Sequence, residues 1–456
     1  MRKIRTFFLL FFILLHLFCN AQYYLKHINI IDIENGNVKK DQTVCVEGKR
    51  IKSISSGILK DNIYPVYDCT GKFLIPGLWD MHIHDGGDSA TRFEYIPLFL
   101  ANGVTGVRDM WGSEEMLKLR DDIKDDKFVG PRMIVGSPII DGVNPFYKRS
   151  LSAKTEREGR DYVDSLSDAG YDFIKIYNFL REPVYLAITD ECKKKRIPLG
   201  GHLPIEIGLE EALDAGQRSF EHNLNINRYL TGREKELLIW SHHYLDTIGF
   251  AHNIKFIIHN EPLDISQKDF FLSDSIMHKM IENRVAIVPT LIAAQGKSVK
   301  VEELAKRTKG LEYLSQDIVD SWMQTPTSLP IQFEQTRGEA AKFLINKGIL
   351  ILAGTDVNNP FCVPGFGLQQ ELINLHNAGL SNLQVLQTAT INPAKFLYRE
   401  KELGTVAVGK LADLLILDDN PLLDISNTQK IYAVIVNGKY LSKSDLTNML
   451  KAQKKR

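Results

Sequence analysis

The chain has 456 residues, 44% hydrophobic and 25% charged, and its 56 basic and 56 acidic side chains balance to a formal charge of zero. That is ordinary globular usage, long enough to bury one large core with a smaller companion. The balance excludes a charge-driven nucleic-acid partner: no basic run is long enough, and Lys451-Ala452-Gln453-Lys454-Lys455-Arg456 reads as a solvated tail.

At the N-terminus, Arg2, Lys3 and Arg5 form a basic head, and an apolar run follows from Phe7 to Phe18. Cys19-Asn20-Ala21 then sets small residues before Gln22. This tripartite pattern predicts a secretory signal peptide over residues 1–21 and an exported, periplasmic or extracellular protein. The run is shorter than the roughly 20 residues of a spanning helix, so no stable membrane span is expected. A lipid anchor on Cys19 is the rival, and bulky Phe18 stands where such an anchor wants a small residue. Cleavage would strip three basic residues and no acidic one. Cys45, Cys69, Cys192 and Cys362 lack metal-type CxxC spacing. Cys45 and Cys69 could pair in an oxidising compartment or stay as buried thiols.

From Tyr23 to Lys72 the pattern is short strands with turns, with Val44-Cys45-Val46 and Ile51–Ile54 clustered around Gly48-Lys49. The far end repeats it in Leu414–Leu417 and Ala433–Val436, with Asn437-Gly438 as a hairpin turn. Two strand-rich ends predict one small β-sandwich domain built from 22–72 and 399–445 together. Between them, over 73–398, short apolar runs alternate with helical stretches. The candidate strands are Leu78–His82, Thr105–Arg108, Met133–Val135, Phe173–Ile176, Pro198–Gly201, Ser219–Glu221, Ala286–Val288 and Leu350–Ala353. Helical periodicity follows in Leu209–Ala215 and Gln369–Ala378. Alternation of this kind predicts an α/β fold, a (β/α)8 TIM-like barrel. Two long connections, from Asn223 to about Met277 and from Leu291 to about Gln335, follow strands, on the face where such barrels hold their sites.

The residues able to carry chemistry sit at those strand ends. His82 and His84 are two apart in extended chain, so both imidazoles can reach one ion. HxH alone is as often structural, but Leu74–Asp80 delivers this pair from an apolar strand into a loop. Lys175 lies within apolar Phe173–Tyr177, where a charged amine is costly. Either its amine escapes to the mouth, or it is neutral and carbamylated by CO₂, bridging two metals. His202, His222 and Asp356 end further strands. Each alone reads more readily as a core or capping residue than as a ligand. Tyr177 would face the same way as Lys175 and could touch substrate, or simply pack. Arg108 could bind a substrate carboxylate, or form an internal ion pair. His242-His243 reads as a solvated helix face, His376 as an ordinary helix residue, and Pro364-Gly365-Phe366-Gly367 as a segment shaping the mouth near Asp356.

Taken together these residues resemble the amidohydrolase superfamily, in its imidazolonepropionase-like and Xaa-Pro dipeptidase branch. The likeness runs through Phe73–His84, Phe173–Tyr177, Gly201–Pro204, Ala212–Asn223, Gly354–Asp356, Ala389–Ala394, Leu403–Thr405 and Gly409–Leu414. It implies two divalent metal ions, with zinc suited to the donors. By the same resemblance His82 and His84 bind the more buried ion and His202 and His222 the second. Lys175, as its carbamate, bridges them, and Asp356 ligates the first ion and moves protons as the catalytic residue. The expected reaction is hydrolysis of a carbon–nitrogen bond in a small-molecule or dipeptide substrate: an Xaa-Pro or other dipeptide, or an N-acyl amino acid. A cyclic amidohydrolase or deaminase of imidazolonepropionase type is the enzymatic rival, although such single-metal relatives generally lack need of the lysine. A non-catalytic ligand-binding relative is the rival of a different class.

Overall fold

The computed structural model describes residues 22–57, 63–84, 89–222, 270–325 and 331–454, with isolated positions between 230 and 242. The leader expected over residues 1–21 and His243 lie outside them. The first three strands, β1 (Gln22–Ile31), β2 (Val38–Glu47) and β3 (Arg50–Ser55), pair antiparallel in order. Alternation explains β1: Tyr23, Leu25, Ile28 and Ile30 are buried while Tyr24 and Lys26 are partly exposed. Two short strands, β4 (Val66–Asp68) and β5 (Phe73–Pro76), then run parallel to β1. The chain crosses at Gly77 into a different kind of sheet.

Here the strands are parallel and buried on both faces, which needs apolar runs instead of alternation. One three-stranded sheet holds β6 (Leu78–Ile83), β7 (Val104–Asp109) and β8 (Arg132–Val135). A second, seven-stranded sheet holds β9 (Ile140–Asp141), β10 (Leu151–Ser152), β11 (Ile174–Ile176), β12 (Leu199–Gly201), β13 (Gln217–Glu221), β14 (Ala286–Val288) and β15 (Leu350–Ile351). The two sheets are joined at two places. At one, Gly136 bridges Phe173 and Asp172 N donates to Val135 O at 2.8 Å. At the other, Ile83 bridges Val357 and Met81 N donates to Ala353 O at 2.9 Å. The eight strands expected from the sequence all form, with helices between them; β9 and β10 were not foreseen. Within these connections Thr155 and Glu158 make a capping box that starts the helix Glu156–Asp168.

The chain returns through β16 (Leu414–Leu417), β17 (Ile431–Val436) and β18 (Lys439–Ser442) to the first sheet. Its order is β18-β17-β16-β5-β1-β2-β3, with β4 on β1. The two chain ends therefore build one continuous hydrogen-bonded sheet. It curls round its own core of Leu25, Val44, Leu74, Leu414 and Ile435, and an isolated bridge joins Arg50 to Leu411. The Asn437-Gly438 turn (φ 50° and 76°) needs its glycine, because a Cβ there would lie 1.8 Å from Gly48 O. The four cysteines among the described residues are free buried thiols, so Cys45 and Cys69 take the unpaired alternative. Among the described residues no helix is long and apolar enough to cross a membrane.

Candidate metal centre and cleft

β6 is buried along its whole length and is pinned to the chain after β15 by Asp80. Asp80 Oδ1 accepts from Thr355 N at 3.0 Å, and Oδ2 accepts from Thr355 Oγ1 at 2.7 Å. Burial pushes the Asp80 carboxyl up to about 7 against those bonds. Just beyond the anchor, His82 Nε2 and His84 Nε2 lie 3.3 Å apart, and 3.3 and 3.0 Å from Asp356 Oδ1. His222 Nε2 is 3.8 Å from Asp356 Oδ2. One ligand atom from each of His82, His222 and Asp356 falls within 4.8 Å of the others, a spacing that fits a metal ion. Asp356 and His222 both have left-handed backbone, φ 60° and 65°, in the segments that follow β15 and β13.

Parallel register aligns the remaining donors. Ile176 pairs with Gly201, Gly201 with Phe220 and Glu221 with Val288, so His202 leaves its strand level with Glu221, one residue before His222. Gly201 (φ 137°) permits this, since a Cβ would meet Ile176 O at 2.2 Å. The His202 and His222 rings lie 4.9 Å apart between centroids. Lys175 is buried, and its Nζ has no hydrogen-bond partner; neither has His202 Nε2. Burial lowers the Lys175 amine to about 8, and the nearby Arg108 charge adds to this against the pull of Glu221.

Three imidazoles are held by the nitrogen that faces away from the cluster. His82 Nδ1 donates to Glu221 Oε2 at 2.8 Å, and His202 Nδ1 to Asn178 Oδ1 at 2.9 Å. His222 Nδ1 lies 2.7 Å from Thr290 Oγ1. Such contacts fix ring orientation and leave Nε2 as the donor to an ion. Burial and neighbouring positive charge hold both His202 and His222 well below the usual imidazole value, the neutral form that ligation requires.

The cluster opens into a cleft of about 820 Å³ that begins at His84 and Asp356. Its walls are aromatic: Trp111 stands edge-on to His84 at 6.1 Å, Tyr147 tilts against Trp111 at 4.9 Å, and Trp322 comes from the helix Gln316–Met323. Arg149 is exposed in this wall with its guanidinium 5.6 Å over the Trp111 ring. The second long connection thus supplies one wall; most of the first lies outside the described residues.

The sequence candidates divide accordingly. His82, His84, His222 and Asp356 are in contact, with His202 and Lys175 beside them. Tyr177 is half-buried with its ring 4.0 Å from that of His202. Arg108 is corrected away from substrate: it is 1% exposed and bonds Glu221 Oε1 at 2.6 Å, Ser219 Oγ at 3.2 Å and Met81 O at 2.8 Å. A guanidinium so enclosed has no face left for a ligand. His242 is half-buried, and His376 is exposed near the end of the helix Phe366–Asn377. Phe366 and Gly367 face a different cavity, not the mouth near Asp356. Sequence reasoning missed Glu221, Asn178, Thr290 and Arg149. Only Glu221, a charged residue ending a candidate strand, carried a signal.

The sequence model described as "Amidohydrolase family" matches residues 73–441. A 5-methylthioadenosine/S-adenosylhomocysteine deaminase of Caldanaerobacter subterraneus subsp. tengcongensis is 24% identical, with 91% of this chain and 92% of that enzyme aligned. A dihydroorotase of Carboxydothermus hydrogenoformans is 38% identical over 87 residues, only 18% of this chain and 20% of that enzyme. Among solved structures, a Xaa-Pro dipeptidase with methionine bound in its active site superposes with a TM-score of 0.66 at 21% identity. That match covers 92% of this chain and 100% of the dipeptidase.

Proposed function

The chain belongs to the amidohydrolase family, and on that footing we propose an exported two-metal hydrolase that cleaves the amide bond of a dipeptide or N-acyl amino acid. One observation carries the reading. The unpartnered Lys175 Nζ and His202 Nε2 are buried beside the packed group of His82, His84, His222 and Asp356. A buried polar atom left unsatisfied costs about 1–3 kcal/mol, which ligation would remove. His82, His84 and Asp356 would hold one ion and His202 and His222 the other, with Lys175 as its carbamate between them. Zinc suits these nitrogen and oxygen donors. When bound, two divalent ions supply a water that ionises near neutral pH and polarise the scissile carbonyl.

The chain's own groups do the rest. Burial would raise the Asp356 carboxyl, but His222 and His82 and hydrogen bonds from His82 and His84 outweigh it and hold it well below the usual range. Asp356 is therefore charged at neutral pH, able to take a proton from the attacking water and hand it to the departing amine. Lys175 must be neutral to capture CO₂, and burial favours that form. Trp111, Tyr147 and Trp322 exclude water from one side of the cleft. Arg149 offers a substrate carboxylate a planar cation at the rim, the role that Arg108 is too enclosed to fill. The reading takes the eight parallel strands as a closed barrel and the chain-end sheet as its small β-domain. Export rests on the pattern of residues 1–21.

A second reading, deamination or opening of a cyclic amide, is favoured by the full-length likeness to a nucleoside deaminase. The unpartnered Lys175 weighs against it. Zinc-loaded protein offered Xaa-Pro and other dipeptides, N-acyl amino acids, cyclic amides and aminopurine nucleosides separates the two. Free amino acid release supports the first reading, and ammonia release or ring opening without peptide hydrolysis replaces it with the second.

A further inference from the structure

We infer that the protein carries a second small-molecule site, distinct from the catalytic cleft, for a carboxylate bearing an apolar tail. A cavity of about 300 Å³ lies between the helix Leu291–Ser298, the segment from Val301 to Lys309 and the helix Phe366–Asn377. It shares no lining residue with the cleft. Its floor is apolar and buried, made by Ile292, Leu304, Phe361 and Val363. Gln369, one of the buried polar side chains in the lining, is already satisfied: its Nε2 donates to Asn102 O at 2.9 Å, and its Oε1 accepts from Thr428 Oγ1 at 2.6 Å. An occupant meets an apolar patch that suits an alkyl or aryl body, beside the side-chain amides of Asn102, Gln295 and Gln370.

The mouth has the opposite character. Arg307 and Lys309, two residues apart, are both exposed on its edge. Arg307 lies 3.7 Å from Glu303, donates to Gln295 Oε1 at 3.5 Å and interacts with the Glu334 carboxylate, and Lys309 Nζ donates to Gln429 Oε1, a neutral acceptor, at 2.8 Å. Two exposed cations at the edge of an apolar floor complement an anionic head on an apolar tail. The Pro364-Gly365-Phe366-Gly367 segment finds its use here, with Phe366 and Gly367 in the wall. The cavity also backs onto the cleft. Phe361 on its floor packs 5.8 Å from Trp322 in the cleft wall, and Ile292 follows Thr290 by two residues.

Octanoate is a suitable probe, titrated calorimetrically into the zinc-loaded protein. One octanoate per chain is expected, weakened about tenfold or more by the double substitution Arg307→Glu and Lys309→Glu, and abolished by Ile373→Trp, which fills the cavity. Stripping the zinc should leave binding unchanged, and the charge-reversed protein should keep its basal hydrolysis. No saturable binding, binding that withstands charge reversal, or binding lost with the zinc would each overturn the site. If Ile373→Trp fails to fold, the surface double variant decides the matter alone. Because binding is read without turnover, a protein that binds octanoate but hydrolyses nothing counts against the proposed function and not against this site.

Discussion

Arg108 and Lys175 are both buried cations, and their different partners give them different fates. Arg108 is matched by Glu221, whose carboxyl burial would raise but Arg108 and His82 hold well below the usual range. Glu221 in turn orients His82, so Arg108 acts on the metal site at one remove. Arg108→Met would leave Glu221 buried without its counter-charge. A loss of about 3–5 kcal/mol in denaturant unfolding is expected, with zinc affinity down roughly 10–100-fold; unchanged zinc affinity would show that Glu221 does not position His82. Lys175 has no such bonded partner, and burial, by lowering its amine to about 8, raises the neutral fraction that can capture CO₂. Lys175→Ala should lose one ion and nearly all activity, with partial rescue by added propionate standing in for the carbamate; full activity without rescue would remove the bridge. At this scale the sequence is legible wherever a metal-ligating residue type ends a candidate strand, as His82, His202, His222 and Asp356 do. Asn178 and Thr290 were invisible because a hydrogen bond to the back of a ring leaves no spacing pattern.

Between elements, one carboxylate bolts two helices together. Glu371, on Phe366–Asn377, accepts from Leu291 N at 2.9 Å and Ile292 N at 2.7 Å at the start of the helix Leu291–Ser298. That helix begins at Thr290, whose own side chain is turned to His222 and does not cap it. Burial pushes the Glu371 carboxyl up to about 8 from an ordinary 4.5, beyond what the two backbone donors restore. The folded chain thus holds a proton that the unfolded chain releases, and this contribution is complete below pH 4.5 and lost as pH rises through about 8. Thermal unfolding of the protein and of Glu371→Gln, compared from about pH 5 to about pH 9, should show the wild type losing its advantage as pH rises. A difference that stays flat would mean Glu371 is already charged. The eight parallel strands were readable because double burial demands apolar runs. β9 and β10, two residues each, are too short to have a period.

The whole molecule depends on a sheet made from both chain ends, and its continuity was not readable. β5 pairs with β1 in parallel and with β16 antiparallel, contacts set by distance in space and not by any local pattern. Asp413 ties this sheet to the parallel strands. It accepts from Arg132 Nε at 2.9 Å and Asn437 N at 2.7 Å, while Gly77 N donates to its carbonyl at 2.9 Å. Asp413→Ala should cost about 1–3 kcal/mol of stability while leaving zinc stoichiometry and turnover intact; a parallel loss of metal would show that the chain-end sheet shapes the site directly.

The most direct test of the two-metal account is the metal content of the protein after stripping, refilling with zinc and desalting. Two zinc ions per chain are predicted, with fewer in His82→Ala and in Lys175→Ala. A correctly folded wild-type chain that stays empty, or that holds a single ion unaffected by loss of Lys175, would contradict it.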